Sequence, residues 1–186
     1  VEELVRIVGE ASGRHFHALS HARDARGVVP SRDPKSVSNE RTFSKDLVAR
    51  GDCHDVLLRL SESIGRRLRK HGLKGKVCRI KLRYPDFTTL SRQARFERPA
   101  DGDTTIFFTA KRLFDRAWKS GRPVRLLGVG VSDFGDADTV DQLGLFEDEA
   151  EVKDGKINEA LDRIKDRFGD RSIRHGGANE RASEEE

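Results

Sequence analysis

The stretch Lys76-Val77-Cys78-Arg79-Ile80-Lys81-Leu82-Arg83-Tyr84 decides how this chain folds. Cys78, Ile80, Leu82 and Tyr84 alternate with Val77, Arg79, Lys81 and Arg83. Successive side chains of a strand leave opposite faces, so this alternation sends an apolar set one way and three cations the other. The apolar set needs a second layer to cover it, and helical patterns on both sides of the stretch supply one. Upstream, Asp52–His71 carries Val56, Leu57, Leu60, Ile64 and Leu68 at helical spacing. Downstream, Pro85-Asp86 makes a turn and Thr88–Arg98 reads as the next strand, with Leu90, Ala94 and Phe96 inward and Thr89, Ser91, Gln93 and Arg95 outward. Arg92 breaks that alternation, which predicts a bulge or a strand edge. Thr104–Lys119 repeats the helical pattern through Ile106, Phe107, Ala110, Leu113, Phe114, Ala117 and Trp118. Ser36–Phe43 before the first helix and Val124–Phe134 after the second complete the set as strands. The order β-α-β-β-α-β predicts an α+β, ferredoxin-like domain, with a four-stranded antiparallel sheet and both helices on one face.

Segments outside this body read differently. Val1 to about Asp24 is predicted helical, with Leu4, Val5, Val8, Phe16 and Leu19 as apolar stripes too short to fold alone. Residues 26–35 hold Pro30 and Pro34 without periodicity and read as a linker. After Phe134 the composition turns acidic, then gives an amphipathic stretch with Ile157, Leu161, Ile164 and Phe168 on one helical face. Residues 176–186 have the composition of a disordered end.

Net charge is only +4, but its distribution is uneven. From Arg66 to Arg83 there are nine Lys/Arg and no acid, and from Asp133 to Glu151 eight acids and no Lys/Arg. That arrangement points to a polyanion-binding body and a separate acidic tail. Cys53 and Cys78 form no CxxC, which argues against a disulfide framework or zinc knuckle and for a reducing compartment. No apolar run approaches the ~20 residues needed to cross a membrane, and no signal-peptide pattern opens the sequence. Methionine is absent even from position 1, as expected of a piece of a longer protein.

The open sheet face should report function. Arg79, Lys81, Arg83 and Arg95 with Thr89, Ser91 and Gln93 are groups that contact phosphates. Outward aromatics, which a base-stacking RNA-recognition sheet needs, are missing from the middle strands. Gly128, Gly130 and Ser132 alternate with the inward Leu127, Val129 and Val131, predicting a flat strip that a nucleic-acid backbone could approach. An ordinary solvated basic face would carry the same pattern. Gln142-Leu143-Gly144-Leu145-Phe146, inside the acidic stretch, has the anchors of a docking peptide, and a small strand packed back on the body is the alternative.

Other motifs carry less. Asp133-Phe134-Gly135 spells the kinase magnesium motif without its partner motifs. Asp133, Asp136, Asp138 and Asp141 lack calcium-loop spacing. His15, His17 and His21 lack a further zinc ligand. Gly128-Val129-Gly130 lies within a strand and not ahead of a helix, so it is no phosphate loop. Cys78 falls on the apolar face as a core residue.

Three passages together resemble the C-terminal part of Y-family translesion DNA polymerases, closest to the bacterial DNA polymerase IV group. Residues 35–43, Lys-Ser-Val-Ser-Asn-Glu-Arg-Thr-Phe, look like the entry into that family's little-finger domain. Thr89-Leu90-Ser91-Arg92-Gln93 and Arg122-Pro123-Val124-Arg125-Leu126-Leu127-Gly128-Val129 look like its third and fourth strands. Gln142–Phe146 matches the Gln-Leu-x-Leu-Phe peptide with which these polymerases bind the sliding clamp. The resemblance covers roughly residues 1–168. It implies the end of a thumb at 1–25, a linker at 26–35, a DNA-binding little finger at 36–134, and a tail at 135–186 with the clamp peptide at 142–146. It adds Lys35, Ser36, Ser38, Arg92 and Arg125 to the DNA-binding candidates above, and makes Gln142, Leu143, Leu145 and Phe146 the clamp-binding set. The implied partners are template–primer duplex and the clamp, in the bacterial cytoplasm, with no membrane. Palm carboxylates and their magnesium would precede Val1, so this stretch should hold no catalytic or metal residue and should not polymerise alone. In some members the clamp peptide ends the chain, whereas some 40 residues follow it here. The rival readings are a free-standing RNA-binding domain of ferredoxin-like form and a metal hydrolase built on the acidic cluster.

Overall fold

The structure is a computed structural model, and it describes residues 1–27, 33–135, 149–169 and 172–173. The chain divides into two units, Val1–Asp33 and Pro34–Glu186.

In the first unit the predicted helical stretch forms two helices, α1 (Glu2–Val8) and α2 (Glu10–Ser20). Gly9 breaks them apart at φ 85°, a left-handed backbone that an L side chain resists. Gly13, buried in α2, lets the helices close: a Cβ there would lie 2.6 Å from the Val5 backbone nitrogen. The expected apolar stripes stay largely exposed within this unit, Phe16 and Val8 among them.

The second unit holds β1 (Ser36–Leu47), α3 (Arg50–Lys70), β2 (Gly75–Arg83), β3 (Thr89–Ala100), α4 (Asp103–Ala117), β4 (Val124–Ser132) and α5 (Glu149–Phe168). The sheet is antiparallel, in the order β1-β4-β2-β3. Element order and the split βαβ units follow the expectation, since β4 lies between β1 and β2. The strand order sets the edges: β1 and β3 are outside, and β4 and β2 are central. That placement explains the sequence of each strand. Central β4 is almost wholly buried, whereas edge β3 is mostly exposed. The one irregularity between β2 and β3 falls between Gly75 and Val77, so the register runs evenly through Arg92, an edge-strand residue and not a bulge.

Helices α3 and α4 pack side by side on the apolar face. α3 buries Cys53, Val56, Leu57, Leu60, Ile64 and Leu68, and α4 buries Ile106, Ala110, Leu113 and Phe114. They meet Cys78, Ile80, Leu82, Leu127, Val129 and Val131 from the sheet, each fully buried aliphatic side chain contributing about 1.5–3 kcal/mol. Phe114 stacks on Trp118 at 5.4 Å, and the Trp118 indole donates to the Arg122 carbonyl at 2.8 Å. Gly72, at φ 62°, ends α3, where the Leu73 N–H reaches back to the Leu68 carbonyl at 2.9 Å. Both cysteines are buried core residues, and burial pushes each thiol up to about 12.

The stretch after the acidic segment buries its apolar stripe only in part, with Leu161 and Ile164 half-buried. Ile157 and Phe168 are exposed, and among the described side chains of α5 Asn158 is the most buried. The helix is held against α3 and the start of α4 by polar contacts. Arg69 bonds Asp162 at 2.6 and 3.0 Å and Asp103 at 2.9 Å, Lys165 meets Glu62 at 3.3 Å, and Thr104 donates to Asp154 at 3.0 Å. Burial pushes the Asp103 carboxyl up to about 6, against the pull of Arg69, and, against its own burial, hydrogen bonds to Asp162 and Asp103 hold the Arg69 guanidinium above its ordinary value.

Candidate nucleic-acid interface

Register decides which side chains share the open face. Val77, Arg79, Lys81 and Arg83 of β2 stand opposite Arg95, Gln93, Ser91 and Thr89 of β3. On the other side they stand opposite Ser132, Gly130, Gly128 and Leu126 of β4, which pair in turn with Ser36, Ser38, Glu40 and Thr42 of β1. Cross-strand partners point the same way, so these sixteen residues form one surface across all four strands. Of the predicted set, Arg79, Lys81, Arg83, Thr89, Ser91, Gln93, Arg95, Ser36, Ser38, Gly130 and Ser132 come together here. Lys35 is exposed in the bend just before β1.

Three predicted residues are placed differently. Arg92 shares the parity of Leu90 and Ala94 and lies exposed along the edge of β3, with a guanidinium nitrogen on the Ser91 carbonyl at 2.8 Å. Arg125 precedes Leu127 by two and has the helix-side parity, and its guanidinium lies 5.2 Å from the Phe87 ring centroid. Gly128 is buried, because the Glu40 and Lys81 side chains close over it: a Cβ there would lie 3.0 Å from the Glu40 Cβ and 3.4 Å from that of Lys81. The flat strip expected along β4 is therefore open at Gly130 and filled at Gly128.

The cations are braced by neighbours. Arg79 donates to the Gln93 side-chain oxygen at 3.1 Å, and Arg83 Nε donates to Thr89 Oγ1 at 2.9 Å. Lys81 Nζ meets Glu40 at 2.9 Å, and Arg95 meets Asp133 at 3.0 Å. Glu40 and Asp133 are the features that strand alternation in the basic segment did not reveal. Glu40 belongs to a polar edge strand with no clean apolar face, and Asp133 reaches the surface through a left-handed backbone, φ 61°, just past β4. The same Asp133 belongs to the Asp-Phe-Gly and four-aspartate motifs; here its carboxylate is an ion-pair partner. Asp136, Asp138, Asp141 and the whole of Gln142–Phe146 lie outside the described residues.

Chemically, four cations held on a rigid sheet at strand spacing, with hydroxyls and an amide between them, can bind a row of phosphates. The neighbouring carboxylates lower the local positive potential without cancelling it. Among the described residues no group of three or more His, Cys, Asp or Glu is placed to hold a metal ion. The His17 and His21 rings lie 4.3 Å apart in the first unit, and desolvation, followed by the neighbouring His21, lowers the His17 pKa. No described helix is long and apolar enough to cross a membrane.

Residues 34–145 match the impB/mucB/samB family C-terminal domain. The chain is 34% identical over 173 residues to a DNA polymerase IV of Desulfatibacillum aliphaticivorans, covering 92% of this chain and 44% of that protein. It is 40% identical over 168 residues to one from Dehalococcoides mccartyi, covering 88% and 42%. It is 42% identical over 135 residues to one from Streptomyces coelicolor, covering 73% and 28%. The chain thus spans less than half the length of these relatives. A solved complex of a beta-clamp processivity factor with the little finger domain of PolIV aligns at 28% identity and TM-score 0.47, over 60% of this chain and 99% of that one. With more than half of its residues matching the domain, and the basic face built from that matched region, the chain belongs to the impB/mucB/samB family, whose C-terminal domain it carries.

Proposed function

We propose that this chain is the C-terminal portion of a translesion DNA polymerase of the DNA polymerase IV kind. In this reading the open face grips template–primer duplex by its phosphates, and Gln142–Phe146 tethers the enzyme to the sliding clamp. The catalytic palm with its magnesium ions lies upstream of Val1, in a cytoplasmic bacterial protein. Residues 1–25 are the end of the thumb, and residues 26–35 the tether to the grip. The observation that carries the reading is the register that puts Arg79, Lys81, Arg83 and Arg95 on one face with no outward aromatic between them. Such a face binds backbone and reads little sequence, which suits an enzyme that must travel over any sequence and past damaged bases.

The test is the salt dependence of duplex binding. With ~4 phosphates neutralised, log K against log salt should fall with a slope of roughly −3.6. Affinity should vary little between sequences. A salt-independent affinity, or a strong preference for one sequence, would sink the proposal. Competition with RNA of the same length separates this reading from an RNA-binding domain, since the DNA reading expects no advantage for RNA.

A further inference from the structure

The turn between β2 and β3 displays an aromatic ring that a phosphate grip does not need. Phe87 is 65% exposed. Its backbone sits at φ 63°, where a bulky L residue is strained. The strain persists because the turn is fixed on several sides. The Phe87 N–H donates to the Tyr84 carbonyl at 3.0 Å, and the Thr89 hydroxyl donates to the Phe87 carbonyl at 3.2 Å. Asp86 accepts the Thr88 N–H at 3.0 Å and pairs with Arg122 at 2.6 Å. Arg122 in turn lies 3.7 Å from the buried Tyr84 ring centroid, which ties the turn to the body. Glycine and asparagine tolerate this backbone, so a phenylalanine there is an outlier of the kind that clusters at ligand-binding sites. Here the ring projects from a fixed turn, with the Arg125 guanidinium over it at 5.2 Å from the centroid and Arg83 of the open face bonded to the adjoining Thr89.

We propose that Phe87 is a stacking platform for an unpaired base, with Arg83 and Arg125 holding the phosphates on either side of it. The inference rests on the DNA-gripping reading above and deepens it. Bases within a duplex hide their faces in the stack, whereas single-stranded bases offer theirs. A rigid aromatic with flanking guanidiniums is the arrangement that binds single strands without sequence preference. The grip therefore ends at a point that recognises the junction from paired to unpaired template.

The test uses the full chain and three labelled DNAs with the same paired length: blunt, with a single-stranded thymine overhang, and with an abasic overhang. Fluorescence anisotropy should show the thymine overhang bound more tightly than the blunt duplex, and the abasic overhang bound like the blunt one. Phe87→Asn, which accepts the left-handed backbone, should lose about 5- to 150-fold on the thymine overhang and keep its blunt-duplex affinity. Phe87→Trp should retain the preference, and Phe87→Leu should lose it. If the overhang gives no advantage and Phe87→Asn binds like the parent while Arg79→Ala weakens every DNA, the phosphate grip stands and this inference falls. Equal weakening of all three DNAs by Phe87→Asn assigns the ring to duplex and overturns base stacking. A parent chain that binds none of the three removes the grip itself, and the inference with it.

Discussion

At the scale of single residues, the open face is less positive than its cation count. Glu40 stands on the same surface as Lys81 and holds its ammonium at 2.9 Å, with Lys81 35% and Glu40 51% exposed. Between such exposed groups the pair itself is worth only about 0.2–1 kcal/mol. Its effect on a phosphate is of the same order, because the phosphate must displace the carboxylate before it gains the lysine. Glu40→Gln should therefore tighten duplex binding by roughly 1.4- to 5-fold, while losing no more than the pair's own about 0.2–1 kcal/mol of stability. Titration at one fixed salt concentration measures it, and weaker binding by the variant would remove Lys81 from the contact surface. Glu40 could not be assigned from its own neighbourhood, since β1 alternates Val37, Asn39, Arg41 and Phe43 against Ser36, Ser38, Glu40 and Thr42 without a clear apolar side. Only its pairing with Gly128 of β4 puts it next to Lys81.

At the scale of elements, α5 shows how charge pairs can hold a helix in place. Arg69 is the centre of the contact, 13% exposed between Asp103 at 3% and Asp162 at 20%. Gly65 makes room for it: a Cβ there would collide with Asp103 Oδ1. Arg69→Ala leaves Asp103 buried without its cation and should cost on the order of 3–5 kcal/mol, read by denaturant unfolding. The Asp103 carboxyl has its pKa raised from 3.8 to about 6. The folded state then holds this proton more tightly than the unfolded state does. The resulting stabilisation is complete below about pH 4 and is lost as pH rises through about 6. Over that window the change is on the order of 2–3 kcal/mol. Asp103→Asn should remove this component, so the variant gains on the parent as pH climbs from about 4 to 7. Thermal midpoints across that range decide it, and a constant difference between the two proteins would show that Asp103 does not titrate there. The sequence marked α5 as helical from Ile157, Leu161, Ile164 and Phe168. Charge pairs between residues about a hundred positions apart are invisible to periodicity, so its docking face was not legible.

At the scale of the whole molecule, the proposed functions fall on different parts of the chain. In the proposed reading the sheet face takes duplex, and the peptide at 142–146 takes the clamp. Leu145 and Phe146 should be the main anchors, with Leu143 secondary and Gln142 supplying hydrogen bonds. A peptide this short should give a micromolar complex, about −8 kcal/mol. Leu145→Ala with Phe146→Ala should cost at least ~4 kcal/mol, enough to abolish detectable clamp binding. DNA affinity should not change. Surface plasmon resonance on an immobilised clamp, beside DNA titration, tests both. Unchanged clamp binding, or joint loss of DNA binding and fold, would assign these residues to the core. What the sequence determined by itself was local: element types, their order and the sorting of each central strand into an apolar and a polar side. Alternation and helical spacing act between near neighbours, so they can be read along the chain. What only the tertiary structure decided was adjacency across it. The order β1-β4-β2-β3, the burial of Gly128, the turning of Arg125 toward Phe87 and the acids beside Lys81 and Arg95 all depend on which strand lies next to which. That choice is made by packing two helices over one sheet, a contact between distant segments that no local pattern encodes.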